Sequence, residues 1–127
     1  RTVKLAMIAD RTFAIQGDGE AIKKLIGVLL DNAIRYCQRG GSVEVRMVKV
    51  SGVKTIEIID DGLGIPEDAM PFIYDRFFRA APPGVEGTGF GLSIAKSIAD
   101  LHGFRLMHQN RPERAGVIAR IMFPSEV

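Results

Sequence analysis

The chain has few of the features that mark a special environment. One cysteine, Cys37, in 127 residues excludes an internal disulfide and suits a reducing compartment. That thiol falls in an apolar helical stretch and reads as a small buried side chain rather than a reactive group. An excess of one charge sign is missing too. The 17 basic and 15 acidic residues leave a net +2, without the footprint of a nucleic-acid or membrane-surface binder. No apolar run approaches the roughly 18 residues of a membrane span, and no signal-peptide pattern opens the sequence. Internal repeats and low-complexity segments are absent as well. What is present is apolar: 46% of residues are hydrophobic, too many for a disordered chain. The length suits one domain with a real core, residues 1–127, rather than two. The sequence starts directly in a strand pattern, Thr2 to Ile8, which is the expectation for a piece of a longer protein.

Along the chain, Val3, Leu5 and Met7 alternate with Thr2, Lys4 and Ala6 as in a half-buried strand. Phe13 and Ile15 predict a second short strand. Asp18 is placed to cap a helix from about Glu20 to Cys37, on which Ile22, Leu25, Ile26, Leu29 and Ala33 recur at spacings of three and four. Gly40 and Gly41 are the expected end of that element. Ser42 to Val50 and Val53 to Ile59 flank Ser51-Gly52, a hairpin signal. Their alternation slips at Met47-Val48, where a bulge or a misplaced boundary is expected. Pro66 suits the first turn of a short helix carrying Met70, Ile73, Tyr74 and Phe77. Pro82-Pro83-Gly84 puts residues 79–86 in a loop. The next helix presents Ile94, Ala95, Ile98 and Leu101 on one face and ends at Gly103. Phe104 to His108 and Val117 to Phe123 close the chain as paired strands. This order predicts an α/β fold with a sheet covered by helices on one face.

Residues 60–91 concentrate the chemistry. Asp60-Asp61-Gly62-Leu63-Gly64-Ile65-Pro66 follows an apolar strand, and Gly87-Thr88-Gly89-Phe90-Gly91-Leu92 opens a helix. Glycines let backbone amides approach a phosphate, because no Cβ stands in the way. A helix starting there adds unpaired N–H groups and a positive dipole end. A carboxylate at the strand end can accept a hydrogen bond from an exocyclic amine such as that of adenine. Together these features read as a purine-nucleotide site. Upstream, Asp31-Asn32 interrupts an apolar helical run, and a buried Asn without partners is costly. By itself Asn32 reads either as a core-satisfying amide or as a neutral, hard oxygen ligand for Mg²⁺. Arg35 reads as a solvated surface residue or as a phosphate contact. Tyr36 reads as core or as a ring for the adenine or ribose. Asp61 and Lys96 read as surface residues. One of Phe77 and Phe78 is expected to be mostly core.

Four stretches, in order across the chain, resemble the ATP-binding signatures of bacterial sensor histidine kinases within the GHKL ATPase and kinase superfamily. Leu29-Leu30-Asp31-Asn32-Ala33-Ile34-Arg35-Tyr36 is similar to the N box. Asp60 to Pro66 resembles the first glycine box, Tyr74-Asp75-Arg76-Phe77-Phe78-Arg79 the F box, and Gly87 to Leu92 the second glycine box. One glycine box is weak evidence, whereas four boxes in sequence are specific. The resemblance implies a two-layer α/β sandwich with a mixed, mainly antiparallel sheet. It implies ATP and Mg²⁺ as cofactors, Asn32 as metal ligand, and Asn32 and Arg35 as catalytic residues. It implies nucleotide contacts from Asn32, Tyr36, Asp60, Gly62, Gly64, Ile65, Phe78, Gly87, Thr88, Gly89, Phe90, Gly91 and Leu92, with Asp60 taking the adenine amine. Residues 79–86 resemble the ATP lid.

The same resemblance implies transfer of the γ-phosphate to a histidine on a separate dimerisation domain of the same kinase, with a response regulator downstream. It implies a cytoplasmic domain, belonging to a parent that can be anchored in the inner membrane, with no nucleic acid and no direct membrane contact. His102 and His108 lack the acidic residue that directly follows an acceptor histidine, so both read as structural. Val28 stands where hydrolytic relatives place a Glu, and a valine cannot serve as general base. A serine kinase of the anti-sigma-factor type and a nucleotide-binding pseudokinase are the alternatives.

Overall fold

The computed structural model describes residues 4–8, 18–37, 41–76 and 91–124. Its elements are β1 (Lys4–Ile8), α1 (Gly19–Tyr36), β2 (Ser42–Val50), β3 (Val53–Asp60), a 3₁₀ turn (Met70–Phe72), α2 (Gly91–Leu101), β4 (Arg105–Asn110) and β5 (Val117–Phe123). The five strands form one sheet in the order β1-β2-β3-β5-β4. β1 runs parallel to β2, and the other neighbours pair antiparallel. The mixed, mainly antiparallel α/β sandwich expected from the sequence is therefore the observed architecture.

Local sequence explains the element ends. Asp18 Oδ1 accepts from the Glu20 and Ala21 amides at 3.0 and 3.3 Å, satisfying N–H groups that the first helical turn leaves orphaned. α2 closes where the Phe104 N–H donates to the Ala99 carbonyl at 2.8 Å across Gly103, a Schellman-type ending. Ser51 and Gly52 both take positive φ, as a two-residue hairpin turn requires.

One core joins the two layers. Leu25, Leu29, Ala33 and Cys37 of α1 and its C-cap, and Ala95 and Ala99 of α2, meet Val43, Val45, Ile56, Ile58, Leu106, Ala119, Ile121 and Phe123 of the sheet. Cys37 is a fully buried small side chain, as read from the sequence. The strand partners fall in register rows on this helix-covered face. Met47 lies opposite Ile56, and Ile56 and Leu106 both lie opposite Ile121. One step on, Val45 pairs with Ile58, and Ile58 and His108 both pair with Ala119. The next row pairs Val43 with Asp60 and Asn110 with Val117. The row at this end of the sheet thus brings Asp60 and Asn110 into the helix-covered face.

Several expectations change. The β2–β3 ladder runs unbroken from Val43↔Asp60 to Val50↔Val53, so there is no bulge at Met47-Val48. Both residues are half-buried, so β2 carries apolar side chains on each face at this point. The helix expected after Pro66 is a turn plus three 3₁₀ residues. The Pro66 carbonyl accepts from Ala69 and Met70, but Pro71 has no N–H with which to continue a helix. On α2 the buried stripe is Ala95 and Ala99, with Leu92 and Ile98 packed beside it, while Ile94 and Leu101 are exposed. Small side chains set that face because α2 packs against α1 as well as β4. The strand expected at Phe13 and Ile15, the end at Gly40, Phe77 and the loop at 79–86 lie outside the described residues. No helix among the described residues is long and apolar enough to cross a membrane.

Gly116 permits the polar end of the sheet to close. It sits at φ +131, and a Cβ there would overlap the Asp60 carbonyl oxygen, a backbone atom that cannot swing aside. Gly116→Ala should therefore cost roughly 2–3 kcal/mol and lower the melting temperature by roughly 10 °C. Thermal unfolding followed by circular dichroism reads this directly, and an unchanged midpoint would show that the hairpin does not need this close approach.

Candidate functional site

Asp60 is the last residue of β3 and is 7% exposed. Its Oδ1 accepts from the Gly62 amide at 2.7 Å and the Val117 amide at 3.3 Å. Among the described residues no hydrogen bond reaches Oδ2. Burial pushes this carboxyl above its usual range, against the pull of those two N–H groups, and the neighbouring Asp61 charge adds to the rise. Such a group is a fixed acceptor with one oxygen left for a donor from outside.

Asp61 does the opposite work. Its Oδ2 accepts from the Ser42 hydroxyl at 2.8 Å and the Ser42 amide at 3.2 Å. Oδ1 pairs with Arg111 at 2.8 Å and Arg114 at 3.2 Å. The Ser42 hydroxyl, its amide and the two guanidiniums hold the Asp61 carboxyl below the usual range despite partial burial. The expectation of a solvated turn residue is therefore corrected: Asp61 ties the loop to β2 and to the β4–β5 hairpin. The sequence reading missed its partners because they lie 19 and 50 positions away.

The loop that follows is held by a residue the motif reading also missed. Asn110, the last residue of β4, accepts from the Ile65 amide through Oδ1 and donates to the Ile65 carbonyl through Nδ2, both at 2.7 Å. Gly64 has φ +85, and a Cβ there would press on Asn110 Oδ1 at 3.0 Å. Arg111 adds a bond to the Asp60 carbonyl at 3.3 Å. The sequence reading ended this strand at His108, whereas β4 runs on to Asn110, so the residue fell outside the expected element. Farther along, Tyr74 Oη lies 2.7 Å from His108 Nδ1. Burial pushes the Tyr74 phenol up to about 12 and His108 down to about 4, so both are neutral at physiological pH.

The structure brings Asp60, Gly62, Gly64 and Ile65 together in this loop. Asn32 lies half-buried on α1, next to Ala33 of the core. Arg35 is paired with Asp31 one turn back at 3.0 Å. Val28 is packed against the core from the same helix. Lys96 pairs with Asp100 on the surface of α2, as read. Gly91 begins α2, and Leu92 packs on the core. His102 stacks on Phe104 with ring centroids 5.9 Å apart. The Tyr36 side chain and residues Phe78, Gly87, Thr88, Gly89 and Phe90 lie outside the described residues. Among the described residues, no group of three or more His, Cys, Asp or Glu is placed to hold a metal.

A sheet with one helix-covered face, whose polar end carries a buried aspartate and a glycine loop, matches a known family. Residues 17–127 match the family described as histidine kinase-, DNA gyrase B- and HSP90-like ATPase. The chain belongs to this family. It is 41% identical over 101 residues to the sensor histidine kinase YkoH of Bacillus subtilis, covering 77% of this chain and 22% of that one. It is 34% identical over 121 residues to the signal transduction histidine-protein kinase AfsQ2 of Streptomyces coelicolor, covering 93% of this chain and 22% of that one. Among solved structures, it is similar to the mycobacterial sensor histidine kinase MprB, at 28% identity and TM-score 0.81 over 96% of this chain and 82% of that chain. It is likewise similar to the catalytic domain of the histidine kinase ThkA, at 25% identity and TM-score 0.79 over 96% and 80%. The chain thus spans about a fifth of the length of these curated relatives.

The His108 environment gives a pH test. In the unfolded chain a histidine titrates near 6.5, whereas the folded site binds its proton only near 4. The unfolded state then holds more protons between those values, so stability is lost as pH falls from about 6.5 to about 4. Melting temperatures across this window should fall more steeply for the wild type than for His108→Gln, which keeps a hydrogen-bonding group for Tyr74. Parallel profiles would remove His108 as the cause.

Proposed function

We propose that this chain is the ATP-binding catalytic domain of a two-component sensor histidine kinase, a single domain within a longer protein. The observation that carries the reading is Asp60, a buried carboxylate at a strand end. Oδ1 is engaged by two backbone amides, and Oδ2 takes no bond from the described residues. On this reading Oδ2 accepts the exocyclic amine of adenine, and Gly62, Gly64 and Ile65 form the floor under the base. Guanine presents a carbonyl at that position and would meet the carboxylate oxygen to oxygen. Tyr36 and Phe78 would contact the base or ribose. Gly87, Thr88, Gly89, Phe90, Gly91 and Leu92 would place amides of the α2 N-terminus at the phosphates, where the helix dipole favours negative charge.

Asn32 suits Mg²⁺ by its chemistry. A half-buried amide oxygen is a hard ligand that adds no charge beside a triphosphate, and Mg²⁺ usually takes its other ligands from phosphate and water. When bound, the ion would neutralise charge on the phosphates. Arg35, partly neutralised by Asp31, would add a positive group on the same helix. The reaction is phosphoryl transfer, in which a protein mostly positions the reactants and offsets charge. The acceptor would be a histidine on a dimerisation domain of the parent kinase, which would in turn serve a response regulator. The relatives' names favour this reading over a serine kinase or a nucleotide-binding module without chemistry.

Two outcomes follow. Asp60→Asn should bind ATP more weakly by roughly 1.5–3 kcal/mol, the loss of a charge-assisted hydrogen bond. Calorimetric titration of the folded variant, with and without Mg²⁺, measures this, and wild-type affinity would remove Asp60 from the site. The chain alone should bind ATP yet show no self-phosphorylation, because His102 and His108 lack the acidic neighbour of an acceptor. Nor should it show brisk turnover, because Val28 offers no general base. A base typically contributes about 10²–10⁴ in rate. Radiolabelled ATP should label the histidine of an added cognate dimerisation domain, and stoichiometric acid-labile phosphate on the isolated chain would contradict the proposal.

A further inference from the structure

The contact between Asn110 and Ile65 joins two parts of the chain 45 residues apart. An asparagine amide carries one acceptor and two donors on a rigid plane, so it can face a peptide group as a second strand would. Here it satisfies the N–H and the C=O of the same residue at equal distances of 2.7 Å, which fixes the orientation of that peptide as well as its position. The second Nδ2 hydrogen also reaches Glu67 Oε1 at 3.3 Å. Asn110 lies directly opposite Val117 in the β4–β5 ladder, and the Val117 amide is one of the two donors holding Asp60 Oδ1. One rung of the hairpin therefore holds both the carboxylate and the loop beyond it. A Cβ at Gly64 would crowd Asn110 Oδ1 at 3.0 Å, at a backbone φ of +85 that favours glycine.

We infer that Asn110 is a positioning residue for base recognition: it sets the Gly64–Ile65 backbone relative to the Asp60 carboxylate, and so sets the selectivity of the site for adenine over guanine. This rests on the ATP reading of Asp60. Asn110 touches no reacting atom; it acts through Ile65. The amide is essential because the contact needs a donor and an acceptor together. Asp offers two acceptors in the same volume and would place an oxygen against the Ile65 carbonyl.

The experiment is calorimetric titration of the 127-residue chain with ATP and separately with GTP, at a temperature where circular dichroism shows each variant folded. Asn110→Ala should weaken ATP binding about tenfold, as expected from two lost hydrogen bonds, with a smaller change for GTP, so the ATP-to-GTP preference falls. Asn110→Asp, of equal size, should behave like Asn110→Ala rather than like the wild type. Leu25→Ala, a core truncation on α1, controls for destabilisation and should leave the preference unchanged. Unchanged ATP affinity in folded Asn110→Ala, or a loss that leaves the preference intact, would overturn the inference while sparing the ATP reading. Absence of ATP binding by the wild type would overturn both.

Discussion

The end of β3 is gripped by the β4–β5 hairpin, and the candidate site depends on that grip. Asp60 has to leave water to act as a fixed acceptor, and a buried carboxylate without partners is costly. Two backbone amides meet part of that cost, one from its own loop at Gly62 and one from Val117 across the sheet. The second is available only because Gly116 brings the start of β5 against the Asp60 carbonyl. The geometry of a single turn between two strands therefore decides whether a carboxylate 56 positions earlier, at residue 60 against 116, can be held.

Two adjacent carboxylates illustrate how environment divides labour. Asp60 is desolvated, which raises its affinity for a proton against the opposing pull of its two backbone donors. Asp61 has a hydroxyl, an amide and two guanidiniums, which lowers it. The first keeps an oxygen in reserve, and the second spends both on neighbours. Asp61 pairs with both Arg111 and Arg114 and so joins the hairpin to the loop. Both arginines remain within the same cluster as Asp60, whose carbonyl also accepts from Arg111.

Much of this was legible in the sequence where the cause was local. The Asp18 cap, the Ser51-Gly52 hairpin, the α1 stripe through Leu25 and Leu29, and the helix ending before Phe104 each depend on residues within a turn of one another. The glycine loop after Asp60 was legible as a motif for the same reason. What escaped was set by distant pairing. Asp61 looks solvated until β2 brings Ser42 to it. Asn110 lies beyond the strand expected to end at His108, whereas β4 continues to it and the loop folds over it. Ile94 and Leu101 fit a helical apolar stripe by spacing. The helix turns its alanines inward instead, because a second helix and a strand both need close approach. Pro71 ended the 66–77 helix early by a rule visible in sequence, which the spacing of Ile73 and Phe77 had obscured.

The register rows show how polar side chains collect at the Asp60 end of the sheet. In the middle of the ladder the helix-facing row is apolar: Met47, Ile56, Ile121 and Leu106 fill the layer between sheet and helices, and the row nearest the β2–β3 turn carries Lys49 and Lys54 beside Phe123. Towards the other end the rows change in steps, through His108 beside Ala119 to Asp60 and Asn110 beside Val43 and Val117. His108 suits the middle step because burial keeps it neutral and Tyr74 supplies its partner. Each polar side chain of that gradient bonds the segment between residues 62 and 74: Asp60 at Gly62, Asn110 at Ile65, His108 at Tyr74. A chain segment with little regular structure of its own is thereby fixed at three points by the sheet. On the ATP reading, the wall that meets the base is anchored to β3 and β4.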